Sequence, residues 1–345
     1  MIAVLVALLA PLALLLLALV PALVELRHPS DTAPLNVPRD HDNHAARFAA
    51  SYRERLHAVF GAPLAQTLLL PAAVDAAREA AMQLGLPQAL ATTAPLAGAG
   101  DLWLPEGWRS AHEVYAGGDL WLGAGGSARA LLAGGTVRLG AGSRVVRWVH
   151  GRDVFFDAGS SVDARVSAEQ RIALADGAAF VRANAPTIDW PEAVAPAAPL
   201  EEAAPREFDG APGARFDAAN RRWIVFRKLA LPRATCVRGD LIVHGHLHMH
   251  KHCRIEGSLK VHGRLQIDDG CVITGACVGV RRIEVMAHCC IAGPLIGEAE
   301  LVIGPHSVIG ELAMPTSVNA QHIALRRDSC VHGTVWAKQG VRAIG

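Results

Sequence analysis

The stretch that decides the fold is GDLIVHGHLHMHKHCRIEGSLKVHGRLQIDDGCVITGACVG, residues 239–279, because it repeats itself. GDLIVHG (239–245) returns one period later as GSLKVHG (257–263), and HLHMHKH (246–252) is followed at the same distance by RLQIDDG (264–270). In each segment, apolar and polar residues alternate. A fixed period of about 18 residues predicts stacked supersecondary units, and the alternation predicts short, half-buried β-strands.

The same period runs through most of the chain after residue 100. A first set of such segments recurs at this period or one position short of it: DLWLPEG (101–107), DLWLGAG (119–125), TVRLGAG (136–142), DVFFDAG (153–159) and RIALADG (171–177). A second set keeps the full period, with one longer step before its last segment: KLALPRA (228–234), HLHMHKH (246–252), RLQIDDG (264–270), RIEVMAH (282–288), ELVIGPH (300–306) and HIALRRD (322–328). The sequence therefore predicts an all-β solenoid, a β-helix in which one turn, or rung, takes about 18 residues.

Residues one period apart are predicted to stack in columns, because neighbouring rungs lie about 4.8 Å apart. Two columns are apolar and predict the core: Leu229, Leu247, Leu265, Ile283, Leu301 and Ile323, and then Leu231, Met249, Ile267, Val285, Ile303 and Leu325. A corner column is predicted from Cys236, Cys253, Cys271, Cys289, Ser307 and Cys330. A turn column with positive φ is predicted from Gly239, Gly257, Gly275 and Gly293.

The pattern divides the chain into five segments. These are a transmembrane anchor (1–25), a linker with amphipathic helices (26–100), a first β-helix block (101–190), a Pro/Ala-rich insertion (191–225) and a second β-helix block (226–345). Within the second segment, helices are predicted at 44–60, where Phe48, Tyr52, Leu56 and Phe60 recur at every fourth position, and at 71–86.

The segment 1–25 carries no charge before Glu25. It is long enough to cross a bilayer, which takes about 20 apolar residues. No basic residue precedes this apolar run, so a retained anchor is predicted over a cleaved signal peptide. Arg27 and Arg39 follow it, and the positive-inside rule then predicts a single-pass protein with its body in the cytoplasm. The seven cysteines do not follow the spacing of a disulfide framework, so they are predicted to be free thiols. The net charge of +1 gives no basic surface that would predict nucleic-acid binding.

HGHLHMHKHC (244–253) carries five histidines at every second position. Because Leu247 and Met249 point into the predicted core, the histidines between and beside them are predicted to face outward. One rung later their neighbours are Arg264, Gln266 and Asp268. A strand with His-x-His can chelate zinc or copper, but the pattern favours a solvated face. The pair retained as candidate metal ligands is His244 over His262, and no catalytic or cofactor-binding residue is predicted.

The main enzymatic alternative is a hexapeptide-repeat acyltransferase, which is a left-handed β-helix. VIGPHSVIGEL (302–312) is typical of such a repeat, with His306 or His288 as the candidate base. The hexad of an aliphatic residue and glycine does not persist in the other rungs, which makes this the second hypothesis.

Two further enzymatic hypotheses have weaker support from the sequence. A polysaccharide lyase or hydrolase needs clustered carboxylates, and Asp268 and Asp269 are predicted to point to opposite faces. A cysteine nucleophile needs a neighbouring base. His252 precedes Cys253, but adjacent strand residues face opposite sides, so the thiols are predicted to fill a tight corner.

Through GDLIVHG (239–245) and GSLKVHG (257–263), the second block resembles the bactofilin family of polymer-forming bacterial cytoskeletal proteins, most strongly over residues 226–310. The resemblance implies a right-handed β-helix that polymerises end to end without nucleotide. It implies a membrane-anchored, non-catalytic scaffold at the bacterial inner membrane that acts in cell shape or envelope organisation. The expected partners are other copies bound through the β-helix ends, the membrane bound through the N-terminal helix, and cell-envelope proteins.

The chain departs from the family pattern in having two rung blocks, a long insertion and the segment 26–100. An uncapped β-helix end is an exposed strand edge, which templates association. A chain whose β-helix ends are capped stays monomeric. Whether the extra segments cap the ends therefore decides whether the chain polymerises.

Overall fold

The fold is an all-β solenoid, as the period predicts. The computed structural model describes Ala49, Ser51, Tyr52 and Glu54 and residues 91–92, 96–98, 100–190 and 206–345. This described part builds thirteen rungs, each of about 18 residues. The predicted transmembrane segment 1–25 and the predicted helix 71–86 lie outside the described residues. No described helix is long and apolar enough to cross a membrane.

The first block builds six of the described rungs. Its strands are β1 (Ala91–Thr92), β2 (Leu96–Gly98), β3 (Leu102–Leu104), β4 (Arg109–Ser110), β5 (Glu113–Ala116), β6 (Leu120–Leu122), β7 (Ser127–Ala133), β8 (Val137–Leu139), β9 (Arg144–Phe156), β10 (Ser161–Ala173) and β11 (Ala179–Asp189). Each rung has three sides, and the strands of one side stack in parallel on those of the next rung. β1 pairs with β4 and β2 pairs with β5, so the block begins before residue 101. Apolar and polar residues do not alternate clearly in β1 and β2.

The second block builds the other seven described rungs. Its strands are β12 (Arg206–Glu207), β13 (Ala214–Asp217), β14 (Arg222–Val225), β15 (Leu229–Leu231), β16 (Thr235–Arg238), β17 (Asp240–Val243), β18 (Leu247–Met249), β19 (Arg254–Glu256), β20 (Leu259–Val261), β21 (Leu265–Ile267), β22 (Val272–Ile273), β23 (Cys277–Gly279), β24 (Ile283–Val285), β25 (Cys290–Ile291), β26 (Leu295–Gly297), β27 (Glu300–Ile303), β28 (Val308–Ile309), β29 (Thr316–Ala320), β30 (His322–Arg326) and β31 (Cys330–Ile344). The insert before β29 is a tight turn in which Glu311 bridges to Met314.

Both predicted apolar columns of the second block are confirmed. Leu229 pairs with Leu247 and Leu247 with Leu265, and the register continues unbroken to Ile323. The side chains of both columns are buried. Burying one such side chain contributes about 1.5–3 kcal/mol, so the stacked columns are a main source of stability.

The predicted corner column is wrong at Cys236 and Cys330. The buried column contains Thr235, Cys253, Cys271, Cys289, Ser307 and Ser329. The register instead puts Cys236 opposite Arg254, and continues through Val272, Cys290 and Val308 to Cys330. Cys253 comes one position too early to lie a full period after Cys236, so the two thiols belong to neighbouring columns.

The turn glycines are needed mainly for close approach. In that column only Gly239 has a positive φ, of 93°. A Cβ at Gly275 would lie 2.6 Å from the Gly257 carbonyl oxygen, and a Cβ at Gly257 would lie 2.5 Å from the Gly239 carbonyl carbon. Glycine therefore recurs here because the turns of adjacent rungs touch through their backbones.

The two blocks join through their C-terminal rungs. β11 pairs antiparallel with β31 on all three sides of the rung, with Ala179 opposite Arg342, Ala183 opposite Val335, and Ile188 opposite Val331. Buried side chains of both blocks belong to one apolar core. We call this contact the junction. In each block, the N-terminal rung is therefore the described rung farthest from the junction.

The four described residues of the predicted helix 44–60 are Ala49, Ser51, Tyr52 and Glu54, and they are helical. Tyr52 packs edge-on against Trp148, with 5.6 Å between ring centroids. The cluster around them also holds Tyr115, Ala130 and Leu132, which lie on the outer face of β5 and β7. Ala49 and Tyr52 therefore contribute to the packing of the first block.

Candidate functional site

The outer face of the second block brings together two histidines and a carboxylate. His248 lies on β18 between the inward-facing Leu247 and Met249, and His250 follows the strand on the same outer side. Asp268 follows β21, one rung later. His248 Nε2 lies 2.9 Å from Asp268 Oδ2, and His250 Nδ1 lies 3.4 Å from the same oxygen. We call these three residues the histidine–aspartate cluster.

The backbone holds this cluster from both sides. His250 N donates to Leu231 O over 3.1 Å, and Asp268 N donates to Met249 O over 2.9 Å. Gln266 Nε2 donates to the other carboxylate oxygen, Asp268 Oδ1, over 3.2 Å. The ladder thus fixes the spacing of the cluster, and Gln266 helps to orient its carboxylate.

The prediction that Asp268 and Asp269 point to opposite faces is wrong. Asp268 faces His248 and His250, while Asp269 pairs with Lys251 over 2.8 Å and accepts from Ala287 N. Both carboxylates lie on the outside, because the strand alternation ends at Ile267 and a turn begins. The Lys251 ammonium and the backbone amide lower the Asp269 pKa, the hydrogen bond from Lys251 having the largest effect.

The predicted candidate pair, His244 and His262, stacks face to face. The ring centroids lie 4.9 Å apart and the planes differ by 4°, with Phe226 stacked on the other face of His244 at 5.2 Å. The lone pair of a ring nitrogen lies in the ring plane. Parallel planes therefore direct the two lone pairs side by side, and this column forms an aromatic stack.

Three more histidines occupy a turn position with left-handed backbone. His252, His288 and His306 have φ of 61°, 57° and 56°, a position held by Gly270 in the rung between the first two. His288 stacks on His306 at 4.8 Å, and His306 Nε2 lies 3.9 Å from Asp328 Oδ2. The two histidines named as candidate bases thus lie in this turn column on the surface.

The corner thiols are buried and hydrogen-bonded to backbone. Cys271 Sγ donates to His250 O over 3.2 Å and Cys289 Sγ donates to Asp268 O over 3.2 Å, as Ser307 Oγ does to Met286 O over 2.7 Å. Burial raises the pKa of Cys289 to about 12. All seven cysteines are free thiols. The Cys289 thiol is thus protonated near neutral pH, and the corner thiols are buried side chains that fill the corner.

The junction brings a thiol next to an imidazole. Cys330 Sγ lies 3.6 Å from His332 Nε2, and His332 Nδ1 donates to Pro186 O over 3.0 Å. Burial raises the pKa of Cys330 to about 12. A protonated thiol is a poor nucleophile. The hydrogen bond from His332 to Pro186 O ties β31 to β11.

The N-terminal rungs present strand edges. Among the described residues, β1, β2 and β3 pair only with the second rung, and β15 pairs only with β18. Trp103 on β3 is 62 % exposed and stacks on Trp121 at 3.8 Å. In the second block, β13 pairs with the outer edge of β14, and Phe208 and Trp223 pack on the end of the core. This end is therefore partly capped.

Comparison of the chain with protein-family models, curated proteins and solved structures finds no match. Its function is therefore inferred from its geometry and its sequence pattern.

Proposed function

We propose that the chain is a non-catalytic scaffold of the bactofilin type that self-associates through the N-terminal rungs of its two blocks. Residues 1–25 would anchor it to the bacterial inner membrane, with the solenoid in the cytoplasm and other copies or cell-envelope proteins as partners. The right-handed winding that the resemblance implies is part of the same proposal.

The observation that carries this proposal is the junction. There, two terminal rungs of this solenoid dock on each other through strand pairing and a shared apolar core. An unpaired strand edge offers the same backbone donors and acceptors to another chain. The edges of β1, β2, β3 and β15, which have no partner strand beyond them among the described residues, are the corresponding surfaces.

The edge of β15 allows a sharp test. Leu229 N donates to His246 O, and Leu231 O accepts from His250 N, so both residues bond inward. In a parallel ladder alternate residues bond to opposite sides, so the N–H of Ala230 points to the outer edge. Ala230→Pro removes this donor and leaves the bonds to β18 in place, and Ala230→Ser is the matched control.

The full chain in detergent should form filaments or concentration-dependent oligomers in electron microscopy and analytical ultracentrifugation. Ala230→Pro should shift the distribution to smaller species, and Ala230→Ser should leave it unchanged. A single discrete species at all concentrations and salt conditions would overturn self-association. Acyl transfer from acyl-CoA that is abolished in His306→Ala would overturn the non-catalytic proposal and favour the acyltransferase.

The anchor is tested separately. The full chain should stay in the membrane fraction after alkaline carbonate extraction, and a chain lacking residues 1–25 should be released. Release of the full chain by carbonate would contradict the proposed anchor and leave the association test unaffected.

A further inference from the structure

We propose that His248, His250 and Asp268 bind a divalent transition-metal cation, with Zn²⁺ as the reference ion. The three residues come from two adjacent rungs and offer two imidazole nitrogens and a carboxylate. Their ligand atoms all lie within 4.8 Å of one another, and this is the group of three that meets that condition among the described residues.

The distances are close to those needed for one shared ion. Zinc binds imidazole nitrogen at about 2.0–2.1 Å and carboxylate oxygen at about 2.0–2.2 Å in tetrahedral geometry, so two ligand atoms of one ion lie about 3.3–3.5 Å apart. The 3.4 Å from Asp268 Oδ2 to His250 Nδ1 falls in this range, and the 2.9 Å from the same oxygen to His248 Nε2 would have to lengthen by about 0.4 Å. The rings of His248 and His250 are inclined at 48° with 4.1 Å between their centroids, so they do not form a parallel stack like His244 and His262.

The surroundings support the site in two ways. Gln266 holds the second oxygen of Asp268, which is the kind of outer contact that orients a carboxylate ligand. Lys251, the nearest cation in sequence, is paired with Asp269, so its charge is compensated beside the site. The parallel ladder holds His250 and Asp268 one rung apart, so little ordering is needed on binding.

The ligand set selects the class of ion. Mixed imidazole and carboxylate ligands favour Zn²⁺, Co²⁺, Ni²⁺ or Cu²⁺, whereas Mg²⁺ prefers oxygen ligands in octahedral geometry. The side chains of His248, His250 and Asp268 are 35 %, 45 % and 19 % exposed. Three protein ligands at a surface leave the remaining positions of the ion to water or to a donor from another molecule.

The chain contains a matched control. His244 and His262 also lie on the outer face one rung apart, but their rings stack in parallel, and among the described residues they belong to no group of three candidate metal ligands. If any exposed histidine pair bound metal to the same extent, this pair would do so too. A His244→Ala/His262→Ala variant therefore measures adventitious binding.

The test is calorimetric titration of the full chain in detergent with ZnCl₂, and separately with MgCl₂. We expect one equivalent of Zn²⁺ to bind, Mg²⁺ not to bind, and Asp268→Ala and His250→Ala each to weaken Zn²⁺ binding at least about tenfold. The His244→Ala/His262→Ala variant should bind like the unmodified chain. Equal affinity in Asp268→Ala, or equal loss in the control variant, would overturn the proposal.

A spectroscopic measurement distinguishes this site from the thiols. Co²⁺ bound by nitrogen and oxygen ligands should give visible d–d bands without the thiolate-to-cobalt charge-transfer absorption that cysteine ligands produce. Appearance of that absorption would assign the metal to cysteines and overturn the proposal. Melting curves recorded in EDTA would show that each variant is folded before it is titrated.

Discussion

Ala183 of β11 lies directly opposite Val335 of β31, and both side chains are fully buried in the junction. At this antiparallel contact the two solenoid blocks, whose own rungs stack in parallel, share one core. Asn184 Nδ2 donates to Thr334 Oγ1 over 2.7 Å beside it, and the Arg182 guanidinium lies over the Trp336 ring. The terminal rungs are thus joined by apolar, polar and cation–π contacts together.

Ala183→Arg should open the junction, because an unpaired charge would have to be buried against Val335. We expect a loss of more than about 3 kcal/mol in the free energy of opening this contact. Hydrogen–deuterium exchange should become faster in β11 and β31, while β21 in the middle of the second block stays protected. Val181→Arg, at a half-buried neighbouring position, is the control and should have little effect.

Gly275→Ala should destabilise the second block through backbone crowding. The new Cβ would lie 2.6 Å from the Gly257 carbonyl oxygen, so adjacent turns must separate, at a cost of roughly 1–3 kcal/mol. Gly100→Ala is the matched control, since a Cβ there meets nothing within 4 Å. Urea denaturation of both variants measures the difference. Equal midpoints would mean that the turns are not held by this contact.

Cys271 and Cys277 should respond differently to replacement by serine. Cys271→Ser keeps a donor for His250 O, as Ser307 does for Met286 O, so the cost should be below about 1 kcal/mol. Cys277 stacks between Leu259 and Leu295, and a hydroxyl buried there should cost roughly 1–3 kcal/mol. Thermal melting of the two variants makes the comparison. The reverse order would argue against the assigned corner column.

Stability should fall at alkaline pH. Burial raises the pKa of Cys277 and Cys289 to about 12, from about 9 in an exposed thiol. The unfolded chain therefore loses these protons first, so the stability associated with the neutral thiols is fully present below about pH 9 and is lost as pH rises towards 12. Urea midpoints between pH 8 and 11 should fall less steeply in Cys277→Ala/Cys289→Ala. An unchanged slope would show that other groups control the loss.

The sequence pattern predicts the rungs and both apolar columns of the second block, because stacking copies each position onto its counterpart one rung later. It does not predict the whole corner column. Cys253 follows Cys236 one position short of a full rung, so matching cysteine with cysteine assigns Cys236 to the wrong column. The junction carries no periodic signal at all. It joins residues such as Asn184 and Thr334, which are 150 positions apart in blocks that run in opposite directions.

The same 18-residue period predicts part of the histidine–aspartate cluster. The 18-residue spacing predicts that Asp268 lies one rung beyond His250. Strand alternation alone, however, predicts only that Asp268 and Gln266 are surface residues. The decisive feature is the turn after Ile267, which directs the carboxylate back across the rung to His248. Side-chain direction at the end of a strand depends on turn geometry, which alternation does not encode.

The order of synthesis gives the junction a further meaning. β11 leaves the ribosome about 150 residues before β31, which at roughly 5–20 residues per second is a delay of about 8–30 s. Each block can wind rung by rung from local contacts, but throughout that interval the nascent first block presents the strand edge that β31 will later cover. On a polysome, neighbouring nascent chains would present the same edge to one another, so the speed of translation through the second block sets how long mispairing competes with correct closure.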